Sequence, residues 1–177
     1  MITLLTTFAP IRGDWGQIQK IAAYSFSTLG CQVIVLGNDF GVDEICRKYG
    51  FLQIKDILVG KDIGVQSSNG IVLGDAFLKA NRYIKEDVVI YINGDNIIMP
   101  NSPLVKILPQ LMKEFNGDFG GWGRRHEAYD YRKYIDLSEE LAYEDTTLLY
   151  GTGKLRRILY GIDIYLWSRP VFEKIRL

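Results

Sequence analysis

The sequence predicts one α/β domain with a mostly parallel central sheet flanked by helices. Val88-Val-Ile-Tyr-Ile92 is β-branched or aromatic throughout, with no polar alternation. That is the pattern of a strand covered on both faces, as parallel-sheet strands are. Ahead of it, short apolar runs alternate with helical stretches in the order β-α-β-α-β, which favours parallel strands joined by right-handed crossovers. At 177 residues, 47% hydrophobic and 24% charged, the chain suits one sizeable core, and residues 1–177 are read as a single domain.

The elements follow in order. Ile2 to Thr6 is an apolar strand that Thr7-Phe8-Ala9-Pro10 leads out of the sheet. Asp14 and Gln17 have capping-box spacing, and Trp15, Ile18, Ala22 and Leu29 form a helical stripe that Gly30 ends. Gln32 to Leu36 is the second strand, and Val42 to Tyr49 is a helix closed by Gly50. Phe51 to Ile54 is a short third strand. Lys61 to Asn69 has no periodicity and reads as a loop over the sheet edge. Leu73, Phe77, Ala80 and Ile84 mark the helix before the central strand, with Asp75 and Lys79 spaced to pair on its surface. Ser102 and Pro103 open another helix, with Leu104, Ile107, Leu108, Leu111 and Phe115 on its apolar face and Pro109 predicting a kink.

Balanced charge, 21 Lys plus Arg against 21 Asp plus Glu, gives no electrostatic case for nucleic acid or an anionic membrane surface. No apolar stretch approaches the roughly 20 residues of a membrane-spanning helix, and no signal peptide is recognisable, so a cytoplasmic protein is expected. Cys31 and Cys46 lack metal-ligand spacing and are expected as free thiols. The single His126 cannot build a metal cluster alone.

Ligands of open α/β sheets bind outside the carboxyl ends of the strands. The polar cluster Asn93-Gly94-Asp95-Asn96 falls there, as do Asn38 and Asp39 after the second strand and Thr6, Thr7 and Phe8 at the end of the first. The last three offer hydroxyls and a ring suited to a nucleobase. Every one of these stretches is equally good turn chemistry.

In the C-terminal third, Asp118-Phe-Gly-Gly-Trp-Gly-Arg-Arg-His126 places Arg124 and Arg125 after glycines. Paired guanidinium groups suit phosphate or carboxylate, but the signal is weak alone, and two exposed arginines on a surface hairpin would look the same. Leu137 to Leu149, with Glu139, Glu140, Glu144 and Asp145, reads as a helix or a solvated lid. Gly161 to Trp167 is a strand with Asp163 embedded among apolar residues. Burying that acid is costly, so it is either hydrogen-bonded structurally, with Arg124, Arg125 or Arg157, or placed at a site.

Taken together, these motifs resemble the GT-A glycosyltransferases whose metal motif is D/N-x-D, here Asn93-Gly94-Asp95. The likeness extends to Gly13 to Lys20 opening the first helix, Val35 to Gly41 after the second strand, Gly123-Arg-Arg125, and Gly161-Ile-Asp163. It implies a single GT-A (Rossmann-like) domain, with residues 1–100 as the nucleotide-sugar-binding half and 101–177 facing the acceptor. It also implies a UDP- or GDP-type sugar donor, a glycan or glycoprotein acceptor, and Mn²⁺ or Mg²⁺ bridging Asp95 and the diphosphate. Asn93 would hold ribose or a metal-bound water, Arg124 and Arg125 would sit among the donor-binding residues, and Asp163 would be the catalytic base of an inverting enzyme. Two departures stand out: the first acid of the triplet is an amide, and Leu177 is reached without the later His or Asp of many relatives. A short form, or one domain of a longer polypeptide, is expected. A sugar-phosphate nucleotidyltransferase is the alternative, although Ala9 to Asp14 holds only Arg12 where that class has a Gly-rich basic loop. A non-catalytic nucleotide-binding module on the same fold is the other.

Overall fold

The structure is a computed structural model that describes residues 2–64, 70–99, 102–123, 126–127, 137–144, 156–157 and 164–175. Strands β1 (Ile2–Thr7), β2 (Gln32–Leu36), β3 (Leu52–Ile54), β4 (Val88–Asn93), β5 (Gly120–Gly123) and β8 (Ile164–Ser168) form one sheet in the order β3-β2-β1-β4-β8-β5. The first four are mutually parallel, whereas β8 runs antiparallel to both neighbours. His126–Glu127 (β6) and Arg156–Arg157 (β7) pair separately. The helices are α1 (Gly13–Ser27), α2 (Val42–Tyr49), α3 (Leu73–Asn81), α4 (Pro103–Glu114), α5 (139–144) and α6 (Arg169–Lys174). None among the described residues is long and apolar enough to cross a membrane.

The unbroken apolar run of β4 is explained by burial on both faces. Ile92 joins Leu4, Val35, Phe26 and Ile45 beneath α1 and α2, and Val88 and Ile90 meet Leu108 of α4 on that same face. Val89 and Tyr91 point the other way, to Phe77 and Ala80 of α3 and Phe172 of α6. Alternation within one apolar strand thus fills two cores, and the domain is a three-layer α/β/α stack.

Several expectations change on contact with packing. The helix α1 starts at Gly13 after Arg12 with no side-chain cap, so Asp14 and Gln17 do not form a capping box. Asp14 lies in the first turn, where its charge suits the helix dipole. Gln17 Nε2 donates instead to the Leu137 carbonyl at 2.9 Å. Trp15 is 50% exposed, and the buried residues of α1 are Gly16, Gln19, Ile21, Ala22, Ala23, Ser25 and Phe26. Asp75 is more than a surface partner of Lys79: its Oδ2 also accepts the Leu58 N–H at 2.7 Å. Burial alone would raise its pKa, yet the Leu58 N–H and the Lys79 ammonium hold it below the ordinary value. Residues 139–144 are a helix docked on α1 through buried Ala142 and Tyr143, against Ile21 and Tyr24, and not a solvated lid. The glycine-rich stretch 120–123 is an edge strand of the main sheet.

The parallel order puts the ends of β1, β2 and β4 on one edge, with Thr7 opposite Asn93 in register. The Gly94 N–H donates to the Thr7 carbonyl at 2.9 Å. A Cβ at Gly94 would lie 2.4 Å from both that oxygen and Phe8 Cδ1, so no larger residue fits. Gly94→Ala should therefore destabilise the fold by about 1–3 kcal/mol, the range for overpacking a filled site. Chemical denaturation checks this, and an unchanged midpoint would mean the turn shifts aside freely.

Candidate functional site

The candidate site is built along the sheet edge from three strand ends. At the end of β2, Gly37, Asn38 and Asp39 line a cleft of about 140 Å³ whose other walls are Lys55, Ile57, Val59 and Ile71. Gly37 N–H donates to the Ile54 carbonyl and Gln53 Nε2 to the Gly37 carbonyl, each at 2.9 Å, which ties the floor to β3. The far wall is a paired excursion of the chain: Val59 bridges Ile71, Val72 N–H donates to Leu58 O at 2.7 Å, and Gly60 N–H to Gly70 O at 2.9 Å. Asp75, holding the Leu58 N–H, braces that wall from α3. Asn38 and Asp39 are exposed, so their polar groups face a ligand's approach and not the core. Lys55 was not singled out by sequence; its position directly after β3, on the same carboxyl edge, was the available signal.

The end of β1 is less available than its composition suggests. The Thr6 side chain is fully buried, in register with Val35 and Ile92, and its Oγ1 has no hydrogen-bond partner among the described residues. Phe8 is 4% exposed, with its ring against Phe26 at 6.3 Å between centroids and over Gly94. Its alternation in the chain turns it toward α1, so the ring serves the core and offers no stacking face. Thr7 is partly exposed, and its Oγ1 lies 3.3 Å from the Tyr91 hydroxyl. Burial pushes the Tyr91 pKa up, so that hydroxyl stays protonated beside the edge.

At the end of β4, Asn93 and Asp95 are partly exposed while Gly94 and Asn96 are buried. Asn96 N–H donates to the Asn93 carbonyl at 3.1 Å, closing a tight turn, and Asn96 Nδ2 lies 3.4 Å from Asp95 Oδ1. The turn thus leaves one carboxylate, that of Asp95, partly exposed at the strand end. Among the described residues no group of three or more His, Cys, Asp or Glu converges to form a metal cage. Mg²⁺ and its like are held by one or two carboxylates when substrate phosphates complete the shell, and Asp95 meets that lesser requirement. Arg124, Arg125 and Asp163 lie outside the described residues. What is described is the residue after Asp163: Ile164 pairs with Ile92, so β8 enters the sheet at the edge where β4 leaves it.

No protein-family model matches this sequence, and no curated protein does either. Solved structures do match in fold. The glucosyl-3-phosphoglycerate synthase of Mycobacterium tuberculosis, in complex with Mn²⁺, UDP-glucose and phosphoglyceric acid, is similar over 97% of this chain and 57% of its own, at 17% identity and TM-score 0.51. Its complex with phosphoglyceric acid alone gives TM-score 0.50 at 17% identity, with the same coverage of 97% and 57%. A cytidylyltransferase from Leptospira borgpetersenii is similar over 98% of this chain and 61% of its own, at 12% identity and TM-score 0.46. The chain spans a little over half the length of these structures, 57% to 61%. What it shares with the synthase is the fold: one α/β domain with the mostly parallel, mixed sheet of the GT-A Rossmann-like class.

Proposed function

We propose that this chain carries the donor site of a metal-dependent glycosyltransferase, moving a sugar from a UDP- or GDP-type donor to a glycan or glycoprotein acceptor. The observation that supports it is the shared edge: the Asn38–Asp39 cleft and the Asp95 turn flank Thr7 on neighbouring strands. That order along the edge suits a base at one end and a diphosphate at the other. A protein of the same fold holds Mn²⁺ and UDP-glucose, which favours this reading of the edge.

In this reading Asp39 accepts a hydrogen bond from a base N–H, with Asn38 beside it, and Asn93 holds ribose or an ordered water. Residues 1–100 form the donor half and 101–177 face the acceptor. A divalent ion, Mn²⁺ or Mg²⁺, held by Asp95 would neutralise charge on the departing diphosphate. Arg124 and Arg125, following β5, would add guanidinium donors to the same oxygens. Asp163, one residue before the start of β8 at this edge, takes the acceptor's proton if the reaction inverts.

Incubation with UDP- and GDP-sugars plus Mn²⁺ tests the class. Sugar release or transfer supports it, a requirement for nucleoside triphosphate and sugar phosphate replaces it with nucleotidyl transfer, and binding without turnover leaves a module. Asp95→Ala should abolish Mn²⁺-dependent turnover with little change in melting temperature, because the carboxylate lies outside the core; full activity in that variant would exclude the role. Asp39→Ala should weaken nucleotide binding by about 1–3 kcal/mol in calorimetry, the range for a lost charged hydrogen bond. For Asp163→Asn the expectation is normal donor binding and melting, with transfer slowed at least about a hundredfold. Near-normal transfer, or a collapse in stability, would make that acid structural.

A further inference from the structure

The turn bearing Asp95 continues as Asn96-Ile97-Ile98-Met99 before α4. Its near end is fixed by β4 and by the Gly94 bond to Thr7. Its far end is held by two side chains that no strand-end argument includes. The Ile98 N–H donates to Ser25 Oγ at 3.1 Å, and the Ile98 carbonyl accepts from the Tyr143 hydroxyl at 3.1 Å. Ser25 is completely buried, and its hydroxyl proton is committed to the Ala22 carbonyl at 2.7 Å. A lone pair is therefore left facing the Ile98 N–H. Burial pushes the Tyr143 pKa up, although a hydrogen bond with Thr28 opposes it, and the hydroxyl remains a donor at neutral pH. The Ile98 side chain is itself buried among Phe8, Phe26 and Ile92.

Tyr143 is in turn placed by its helix. Its ring meets Tyr24 edge-on at 5.5 Å and 70°, Ala142 beside it is fully buried, Lys48 Nζ reaches Glu139 at 3.1 Å, and Gln17 holds the Leu137 carbonyl. The α5 helix is thus tied to α1, α2 and the Asp95 turn at once.

We infer that Ser25 and Tyr143 are positioning residues for Asp95, clamping both backbone groups of Ile98 so that the turn holds its carboxylate in one orientation. A segment with both ends fixed has few conformations, and ligand geometry within a fraction of an ångström decides how well a carboxylate shares a cation with phosphate. This inference rests on the proposed role of Asp95 and makes α5 a support of the Asp95 turn from outside the donor site.

The test compares UDP and GDP affinity with and without Mn²⁺, by calorimetry, in wild type, Tyr143→Phe and Ser25→Ala. The first variant keeps the ring contact with Tyr24 and removes only the hydroxyl. In each variant the Mn²⁺-free affinity should stay at the wild-type value, because the β2 cleft is not built from Ile98. The gain in affinity conferred by Mn²⁺ should fall by about five- to tenfold, the loss of one neutral hydrogen bond at the clamp. The spectrum of bound Mn²⁺ in electron paramagnetic resonance should broaden as the carboxylate samples more than one orientation. An undiminished gain in a folded variant overturns the inference, and so does an equal fall with and without Mn²⁺, which is what general loosening gives. Should Tyr143→Phe fail to fold, Ser25→Ala decides by the same two affinities. A wild type that binds nucleotide with no gain from Mn²⁺ overturns the metal role of Asp95 itself, before any variant is made.

Discussion

The close approach of Gly94 to the end of β1 is the constraint on which the rest of the edge depends. With no Cβ in the way, the Phe8 ring and the Thr7 carbonyl reach the Gly94 backbone, and its N–H closes the 2.9 Å bond to Thr7. Two parallel strands thereby end in fixed relation one residue beyond their last paired positions, Thr7 and Asn93. The polar groups on either side inherit that relation. Phe8 contributes by packing: because its ring fills the space over Gly94 and against Phe26, the chain leaving β1 is anchored before Ile11 reaches back to the Phe40 carbonyl at 2.8 Å.

Around this fixed point, polar side chains of the helices hold backbone that no ladder satisfies. Gln19 accepts the Ala9 N–H at 2.7 Å, Asp75 the Leu58 N–H at 2.7 Å, and Ser25 the Ile98 N–H at 3.1 Å. Each ties a loop at the carboxyl edge to a helix behind it. An unsatisfied N–H buried in such a loop costs about 1–3 kcal/mol, enough to shift a loop's conformation. The site is therefore shaped as much by helices α1 and α3 as by the strands that carry its side chains.

Much of the fold was legible because its signals are local. Helix α2 ends where Gly50 takes the left-handed φ of 71°, and the apolar run of β4 required cover on both faces. What was not legible depends on tertiary partners. The stripe of α1 was read only in part: Ala22 is buried and Leu29 packs against the core, but Trp15 is exposed, and Gly16, Gln19 and Ser25 complete the buried side as small or polar residues that a hydrophobic stripe does not weigh. Strand β5 was hidden because Gly-Gly-Trp-Gly has poor strand propensity and acquires its ladder only from β8. For the candidate site, strand-end logic put Asn38, Asp39, Asn93 and Asp95 on the edge, and all are at least partly exposed there. It did not weigh the alternation that puts Thr6 and Phe8 on the same face as Leu4, toward α1, nor that α1 covers this face as far as Phe8. Tyr143 lies 45 residues from the Ile98 carbonyl it holds, a separation no motif spans.

The charge on the edge adds a last step. Asp39 and Asp95 bring carboxylates to opposite ends of the surface proposed to take a diphosphate, and Lys55 is the cation that lines the cleft among the described residues. Two unit charges about 5 Å apart repel by roughly 3 kcal/mol at an effective dielectric of about 20. An anionic diphosphate beside Asp95 would meet that repulsion unless positive charge lay between them. Asp39 escapes it, because a base presents N–H groups and carries no formal charge. The same side chain is therefore suited to direct hydrogen bonding at one end of the edge and to sharing a cation at the other. Asn93 in place of a second acid lowers the repulsion that phosphate must overcome, at the cost of a charged ligand for the ion. Under the proposed reading, ion and donor then bind as a unit, each supplying what the single carboxylate does not, and the orientation of that carboxylate becomes the quantity the surrounding packing has to protect.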